Sequence, residues 1–491
     1  MERIDLRLEN LDRAFPDDFT SEEVAKGKTL FLKRLALAAH RFYGGKIQTV
    51  PKIGAFGFNW FNVWYTPGVS QVSTAIRDNS DASYELSNRG NLVAVVTDST
   101  RVLGDGDVSP PGGLGVMEGK AFLMKYLGGV DAMPLCVDSR NARGEPDPEN
   151  LIEFVRRSQS SFGAVNLEDI SQPNCYRVLD VLREQCEIPV WHDDAQGTGC
   201  VTLAGLLNAL KVAGKDIARV RIVFYGAGAS NTTIARLIIM AGADPANLIM
   251  FDSRGALGKH RDDIKADARF YRKWEICEQT NPKGLRSVEE GMKGADVLIA
   301  LSTPGPNTVK QDWVGAMGPK AIVFACANPV PEIYPYAARE AGAYIVATGH
   351  GDFPNQVNNS VGFPGILKGA LLVRAKKITD NMAIAAARSL ATFAEKKGLS
   401  TEYIIPRMEE SAVFPHEAAD VAMQAVQDGV ARLPLKRDEV YRKTETDITY
   451  SRRLLDSMLQ GGFIRPPPPS MLEEALQWAV SEVQRVRAPK S

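Results

Sequence analysis

Two short apolar runs of the chain each end in a pair of adjacent acids. Gly163-Ala164-Val165-Asn166-Leu167 stops at Glu168-Asp169, and Ile188-Pro189-Val190-Trp191 stops at His192-Asp193-Asp194. Side chains alternate faces along a strand, so neighbouring acids serve one site only where the strand ends and the backbone turns. Four carboxylates gathered at such ends repel one another unless a cation or shared protons intervene, and an all-oxygen donor set suits Mg²⁺ or Mn²⁺ better than zinc. A hard divalent metal is the expected chemistry. Helix caps and solvated strand ends are the alternative use of the same acids.

A second site is written in glycine. Arg221-Ile222-Val223-Phe224-Tyr225 reads as a short buried strand, followed at once by Gly226-Ala227-Gly228-Ala229-Ser230-Asn231 and a helix expected over 232–241. Gly226 and Gly228 permit a tight turn and bring a pyrophosphate close to the helix N-terminus. The next strand, 248–251, ends in Asp252, which could take the adenosine ribose hydroxyls of NAD; Ser253, Arg254 and Lys259 just beyond could receive the 2′-phosphate of NADP. Asn231 occupies the third position of the turn, where Gly or Ala favours close helix packing.

Holding these groups takes two domains, since 491 residues exceed the usual single core. A buried-type strand over 91–98 leads to the glycine-rich loop Arg101-Val102-Leu103-Gly104, where Arg101 could grip a carboxylate with two parallel hydrogen bonds. A helix enters through 116–122 and places Lys120 in its first turn, where the positive helix end or a metal would depress its pKa. Tyr65 precedes the turn Pro67-Gly68 on stiff backbone. Further strands end at Ser302 and Asn328, and a loop carries Asn355 to Asn359. Alternation with helices predicts a parallel sheet with ligands beyond its carboxyl ends. Helices are expected over 20–41, capped by Thr20 or Ser21, over 201–212, 365–396 and 416–431, and over 471–486 after the stiff spacer at 466–469. The fold class is therefore α/β: an N-terminal α/β substrate and metal domain (1–195), a Rossmann-like doubly wound parallel-sheet NAD(P) domain (196–430), and a helical, Pro-rich C-terminal extension (431–491).

Lys and Arg number 58 against 59 Asp and Glu, a net charge of −1, which argues against a nucleic-acid or acidic-membrane partner. Six scattered cysteines with no Cys-x-x-Cys pair read as reduced core residues. No apolar signal core begins the sequence and no uncharged run approaches the ~20 residues that span a bilayer. A cytoplasmic protein without a membrane segment is the expectation.

Taken together, Tyr65-Thr66-Pro67-Gly68-Val69, Thr97-Asp98, Arg101-Val102-Leu103-Gly104, Val116-Met117-Glu118-Gly119-Lys120, Asn166-Leu167-Glu168-Asp169-Ile170, His192-Asp193-Asp194-x-Gln196-Gly197-Thr198, Gly226-Ala227-Gly228-Ala229, Ala327-Asn328-Pro329-x-Pro331-Glu332-Ile333 and Asn358-Asn359 ahead of Phe363-Pro364-Gly365 resemble the malic enzyme family, in its bacterial form. The resemblance covers roughly 50–425. It implies NAD- or NADP-dependent oxidative decarboxylation of L-malate to pyruvate and CO₂ with Mg²⁺ or Mn²⁺, in a homo-oligomer. By the same resemblance Glu168, Asp169 and Asp194 are metal ligands with Asp193 beside them, Lys120 is the base and Tyr65 the acid. Arg101, Asn328, Asn358 and Asn359 resemble substrate contacts. Cofactor contacts are expected from Thr198, Gly226, Gly228, Ala229, Ser230 and Asn231, and from Asp252, Ser253, Arg254, Ser302 and Asn328. Ser99 stands where the family usually has glycine. A malolactic-type decarboxylase of the same fold and a non-catalytic cofactor-binding regulator are the alternatives.

Overall fold

The computed structural model describes residues 3–54 and 56–487. Four strands, β1 (Leu92–Thr97), β2 (Asp131–Cys136), β3 (Ala164–Leu167) and β4 (Val190–His192), form an all-parallel sheet in the order β2-β1-β3-β4. Continuous apolar runs such as Val93-Ala94-Val95-Val96 suit strands buried on both faces. Val93 and Val95 pack with Met117, Met124 and Leu127 of the helix Leu114–Gly128, and Ala94 and Val96 pack with Leu151, Val155, Leu179 and Leu182 of the helices Pro148–Ser158 and Asn174–Gln185. The winding reverses between β1 and β3, so a crevice opens outside their carboxyl ends. Asp98 and Glu168 stand there.

The second sheet contains β5 (Ile222–Tyr225), β6 (Leu248–Asp252), β7 (Gly255–Ala256), β8 (Val297–Ala300), β9 (Ala321–Ala325) and β10 (Ala343–Thr348), in the order β10-β9-β8-β5-β6-β7. Renumbered within the sheet this is the 3-2-1-4-5-6 order of doubly wound dinucleotide domains, its third strand reduced to an antiparallel two-residue stub. The switch point falls between β5 and β8, hence between Gly226 and Ser302.

The expected helix over 365–396 is two, Phe363–Leu372 and Asp380–Lys397, parted where Arg374 takes φ +46°. A helix the sequence reading passed over, Arg437–Gln460, is dense in charge yet buries Val440, Thr444, Ile448 and Ser451. That spacing is one narrow stripe on a helix.

The chain divides into two compact units, Lys52–Ser451, which holds both sheets, and Met1–Pro51 with Arg452–Ser491. In the latter the helix Ser21–Tyr43 lies against the helix Pro469–Arg487 around Phe31, Leu472, Leu476 and Ala479. Thr20 and Glu23 cap its first helix reciprocally: the Glu23 N–H donates to Thr20 Oγ1 (3.3 Å) and the Thr20 N–H to Glu23 Oε2 (2.8 Å). This division differs from the three spans expected from sequence, because the two ends of the chain share one core. Among the described residues no helix is long and apolar enough to cross a membrane.

Candidate active site

At the ends of β3 and β4 the backbone turns at once. Asp169 takes φ +53°, and Asp193–Gly197 form a single π turn that opens the helix Thr198–Ala213. One carboxylate oxygen each from Glu168, Asp169 and Asp194 then lies within 4.8 Å of the others. The Asp169 N–H donates to Asp194 Oδ2 (2.7 Å) and Asn166 Nδ2 to Glu168 Oε2 (2.9 Å). Burial pushes the Glu168 carboxyl far above its usual range, with the Asp194 charge adding to it. Burial and Asp194 also push Asp169 up to about 8. Among the described residues Asp169 Oδ2 has no hydrogen-bond partner although it is buried. Crowded, mutually repelling oxygens with an orphaned acceptor are what a hard divalent cation satisfies.

Lys120 lies in the second turn of the helix Leu114–Gly128, because Pro110–Gly113 form a separate turn and the helix starts only at Leu114. Its Nζ is 2.9 Å from Glu168 Oε1, is ion-paired with Asp193, and sits 4.6 Å from the centre of the Phe363 ring. Burial pulls the ammonium pKa down, yet the charges of Asp193, Glu168 and Asp194 outweigh burial and hold it above the ordinary lysine range. The depression expected from the helix end is therefore absent. Asp193 is itself anchored by Trp191 Nε1 at 3.2 Å. A Cβ on Gly197 would stand 2.0 Å from Asp193 Oδ1, so a side chain there would displace the carboxylate that holds Lys120.

The nucleotide turn joins this cluster directly. Ser230 Oγ donates to the Asp194 carbonyl at 2.9 Å. Gly226 has φ +101° and a Cβ there would meet Leu301 O at 2.2 Å, whereas a Cβ on Gly228 would meet nothing within 4 Å. The first glycine is needed by the protein, and the second faces open space of the kind a pyrophosphate fills. Asn231 is fully buried and donates to Gly226 O at 2.8 Å. Its side chain holds the turn, which differs from the ligand contact expected of it. Ser302 N–H donates to Glu332 Oε1 (2.7 Å) and Ala327 N–H to Glu332 Oε2 (3.0 Å), so the buried Glu332 ties the loops after β8 and β9. Sequence reasoning gave Glu332 no role; an acid between Pro331 and Ile333 was the available signal.

The substrate-binding candidates are brought to the rim. The Arg101 N–H donates to Asp169 O at 3.0 Å while its side chain is exposed. A Cβ on Gly104 would lie 3.2 Å from Asn328 O, and one on Gly197 would lie 3.5 Å from Asn359 Cβ, so the Asn328 segment borders the loop after β1 and the Asn359 segment the π turn after β4. Asn358 Oδ1 accepts from Ser360 N–H at 2.9 Å and caps the Asn359–Val361 turn. Thr198 opens the helix after the π turn. Ser99, at φ +58°, adopts the backbone that glycine takes without strain. Tyr65 stands apart: it is 72% exposed, on a segment where Phe56, Phe58 and Phe61 are exposed as well.

A doubly wound nucleotide domain hydrogen-bonded to a buried lysine and acid cluster defines a metal- and dinucleotide-dependent oxidoreductase. Residues 58–183 match the malic enzyme N-terminal domain and residues 195–426 the malic enzyme NAD-binding domain. The chain is 40% identical to the bifunctional malic/malolactic enzyme of Bacillus subtilis, over 84% of this chain and 98% of that one, and 42% identical to the NAD-dependent malic enzyme of Geobacillus stearothermophilus, over 79% and 78%. It superposes on the crystal structure of Entamoeba histolytica malic enzyme with a TM-score of 0.96 and 63% identity, covering 98% of this chain and 100% of that one. The chain belongs to the malic enzyme family.

Proposed function

We propose a division of labour for the reaction of this malic enzyme family member, the oxidative decarboxylation of malate to pyruvate and CO₂ with NAD⁺ or NADP⁺. Glu168, Asp169 and Asp194 would hold Mg²⁺ or Mn²⁺, which supplies Lewis-acid polarisation of the substrate oxygen, while the nicotinamide supplies the hydride acceptor. With such an ion on Glu168 and Asp194, Lys120 would keep only Asp193 of the charges that raise its pKa and would come closer to proton exchange. Lys120 Nζ then takes the proton of the C2 hydroxyl, and Asp193 stabilises the ammonium that results. Tyr65 returns a proton to C3 after CO₂ leaves. Arg101, Asn328 and Asn359 hold the carboxylates, and Asn358 positions Asn359 through its cap.

The observation that carries this reading is Lys120 Nζ at 2.9 Å from Glu168 within a three-acid cluster. Purified protein supplied with L-malate, Mn²⁺ and either nucleotide is expected to yield equal amounts of pyruvate and reduced cofactor. Lactate without net cofactor reduction would instead support the malolactic reading, which the Bacillus subtilis relative's double name favours.

The exposed aromatic segment around Tyr65 supports a homo-oligomer of two or more copies, in which a second copy covers these rings and takes Tyr65 out of solvent. Sedimentation of active protein should give a dimer or larger; an active monomer would sink this. Six free cysteines, most of them buried, support a cytoplasmic location.

A further inference from the structure

The acid at the end of β6 is not free to do what its position suggests. Asp252 Oδ1 accepts from the Arg254 N–H (2.9 Å) and from Arg261 Nη1 (2.9 Å), and Oδ2 accepts from Arg261 Nη2 (2.9 Å) and Lys273 Nζ (2.7 Å). A carboxylate offers about four lone-pair sites. All four are taken, so no acceptor remains for the two ribose hydroxyls that an unengaged acid would bind in NAD⁺. Burial would raise the Asp252 carboxyl, but Arg261, Lys273 and the backbone donor outweigh it and hold it below its usual range. Releasing these donors would leave cations unpaired in a site where Arg261 is only 8% exposed, which is costly.

The surrounding charge points the other way. Arg261 Nε and Nη2 also donate to Asp263 (2.8 Å each), and Arg254 Nη1 donates to Asp263 Oδ2 at 3.0 Å. Three cations thus face two carboxylates, with Lys259 exposed on the same turn. Arg254 has a side chain 73% exposed, and its other guanidinium donors engage no described residue. Gly226 N–H donates to Phe251 O at 2.9 Å, so the phosphate turn and this charged turn are adjacent. An adenosine ribose bound between the two turns would lie beside Arg254.

Resting on the cofactor reading above, we propose that this chain selects NADP⁺ over NAD⁺, with Arg254 receiving the 2′-phosphate and Asp252 acting as a positioning residue that fixes Arg261 and Lys273. The planar fork of an arginine matches a phosphate, and the cations Arg254, Arg261 and Lys273 outnumber Asp252 and Asp263.

Calorimetry with the full-length protein tests this without turnover, using adenosine 2′,5′-bisphosphate, adenosine 5′-phosphate, NADP⁺ and NAD⁺ as probes. The bisphosphate and NADP⁺ should bind at least about tenfold more tightly than their counterparts, the scale of one charge-assisted hydrogen bond. R254S should remove most of that ratio by weakening the two 2′-phosphorylated probes, with a melting temperature equal to that of the parent. Equal affinities, tighter NAD⁺, or an R254S protein with an unchanged ratio would overturn the proposal. Failure of all four probes to bind would overturn the dinucleotide reading along with it, and the two failures are therefore distinguishable.

Discussion

Two acid-bearing regions of this molecule both lie beyond the carboxyl ends of parallel strands and are built to opposite electrostatic ends. Beyond β3 and β4, Glu168, Asp169, Asp193 and Asp194 surround one cation, Lys120, and burial raises the first three carboxyls. Beyond β6, Asp252 and Asp263 are surrounded by Arg254, Arg261 and Lys273, and both carboxyls are lowered. The first cluster lacks positive charge and so suits a cation; the second has an excess and suits an anion. The sign of the ligand follows from how many donors the fold supplies to each carboxylate, and the residue type alone does not set it.

The comparison breaks most visibly at Lys120. In K120A the acid cluster loses the cation buried within it, so turnover should fall by about 10²–10⁴-fold, the range of a lost general base. The β6 turn is untouched, so nucleotide binding measured by fluorescence should persist. Turnover within a factor of a few of the parent would remove Lys120 from the chemistry.

A smaller effect comes from pH in the metal-free protein. A carboxyl raised in the folded state holds a proton that the unfolded chain releases at about pH 4, so between that pH and the folded value the native state binds more protons and stability declines as pH rises. For Asp169 this window closes near 8. The lowered carboxyls of Asp252 and Asp263 behave in reverse: their contribution is present above about pH 4 and is lost only as pH falls through their folded values. Burial lowers the pKa of His192, His260, His350 and His416, which act the other way up to about pH 6.5. Chemical denaturation without metal should therefore show stability falling from about pH 6.5 toward 8, and Mn²⁺ should reduce the slope, leaving the part due to the buried, raised Glu417. A stability that rises across that range without metal would contradict the buried acid cluster.

Much of this arrangement was legible in the sequence because it is local. Apolar runs closed by acids or glycines became β1, β3, β4, β5 and β6, and Thr20 with Glu23 marked a helix start that the structure keeps. The metal-type cluster was legible for the same reason, as both acid pairs end strands of one sheet. What was hidden depends on partners remote in the chain. Nothing local shows that Lys120 meets Asp193, that Glu332 holds Ser302, or that Asp252 is saturated by Arg261 and Lys273. Pairing of the terminal helices into one core is hidden likewise, since each alone reads as a surface helix with one apolar stripe.

The finest test of the contrast lies at Asp263. It is 35% exposed and draws on both Arg261 and Arg254, so it lowers the positive excess of the β6 turn while steadying the side chain proposed to meet the 2′-phosphate. D263N keeps the shape and an acceptor oxygen but removes a charge. Loss of the anchor costs little, because a surface ion pair contributes about 0–1 kcal/mol and is screened by salt. The phosphate, carrying up to two negative charges, gains more from the removed repulsion at close range. D263N should therefore bind adenosine 2′,5′-bisphosphate about two- to threefold more tightly at low salt, an advantage that fades as ionic strength shortens the screening length. Adenosine 5′-phosphate should change less. An equal substitution in the other cluster, D193N, should act in the opposite sense on a cation, weakening Mn²⁺ binding, because there the carboxylate is what the ligand needs. If both substitutions moved their ligands in the same direction, the two strand ends would not differ in the way their donors indicate.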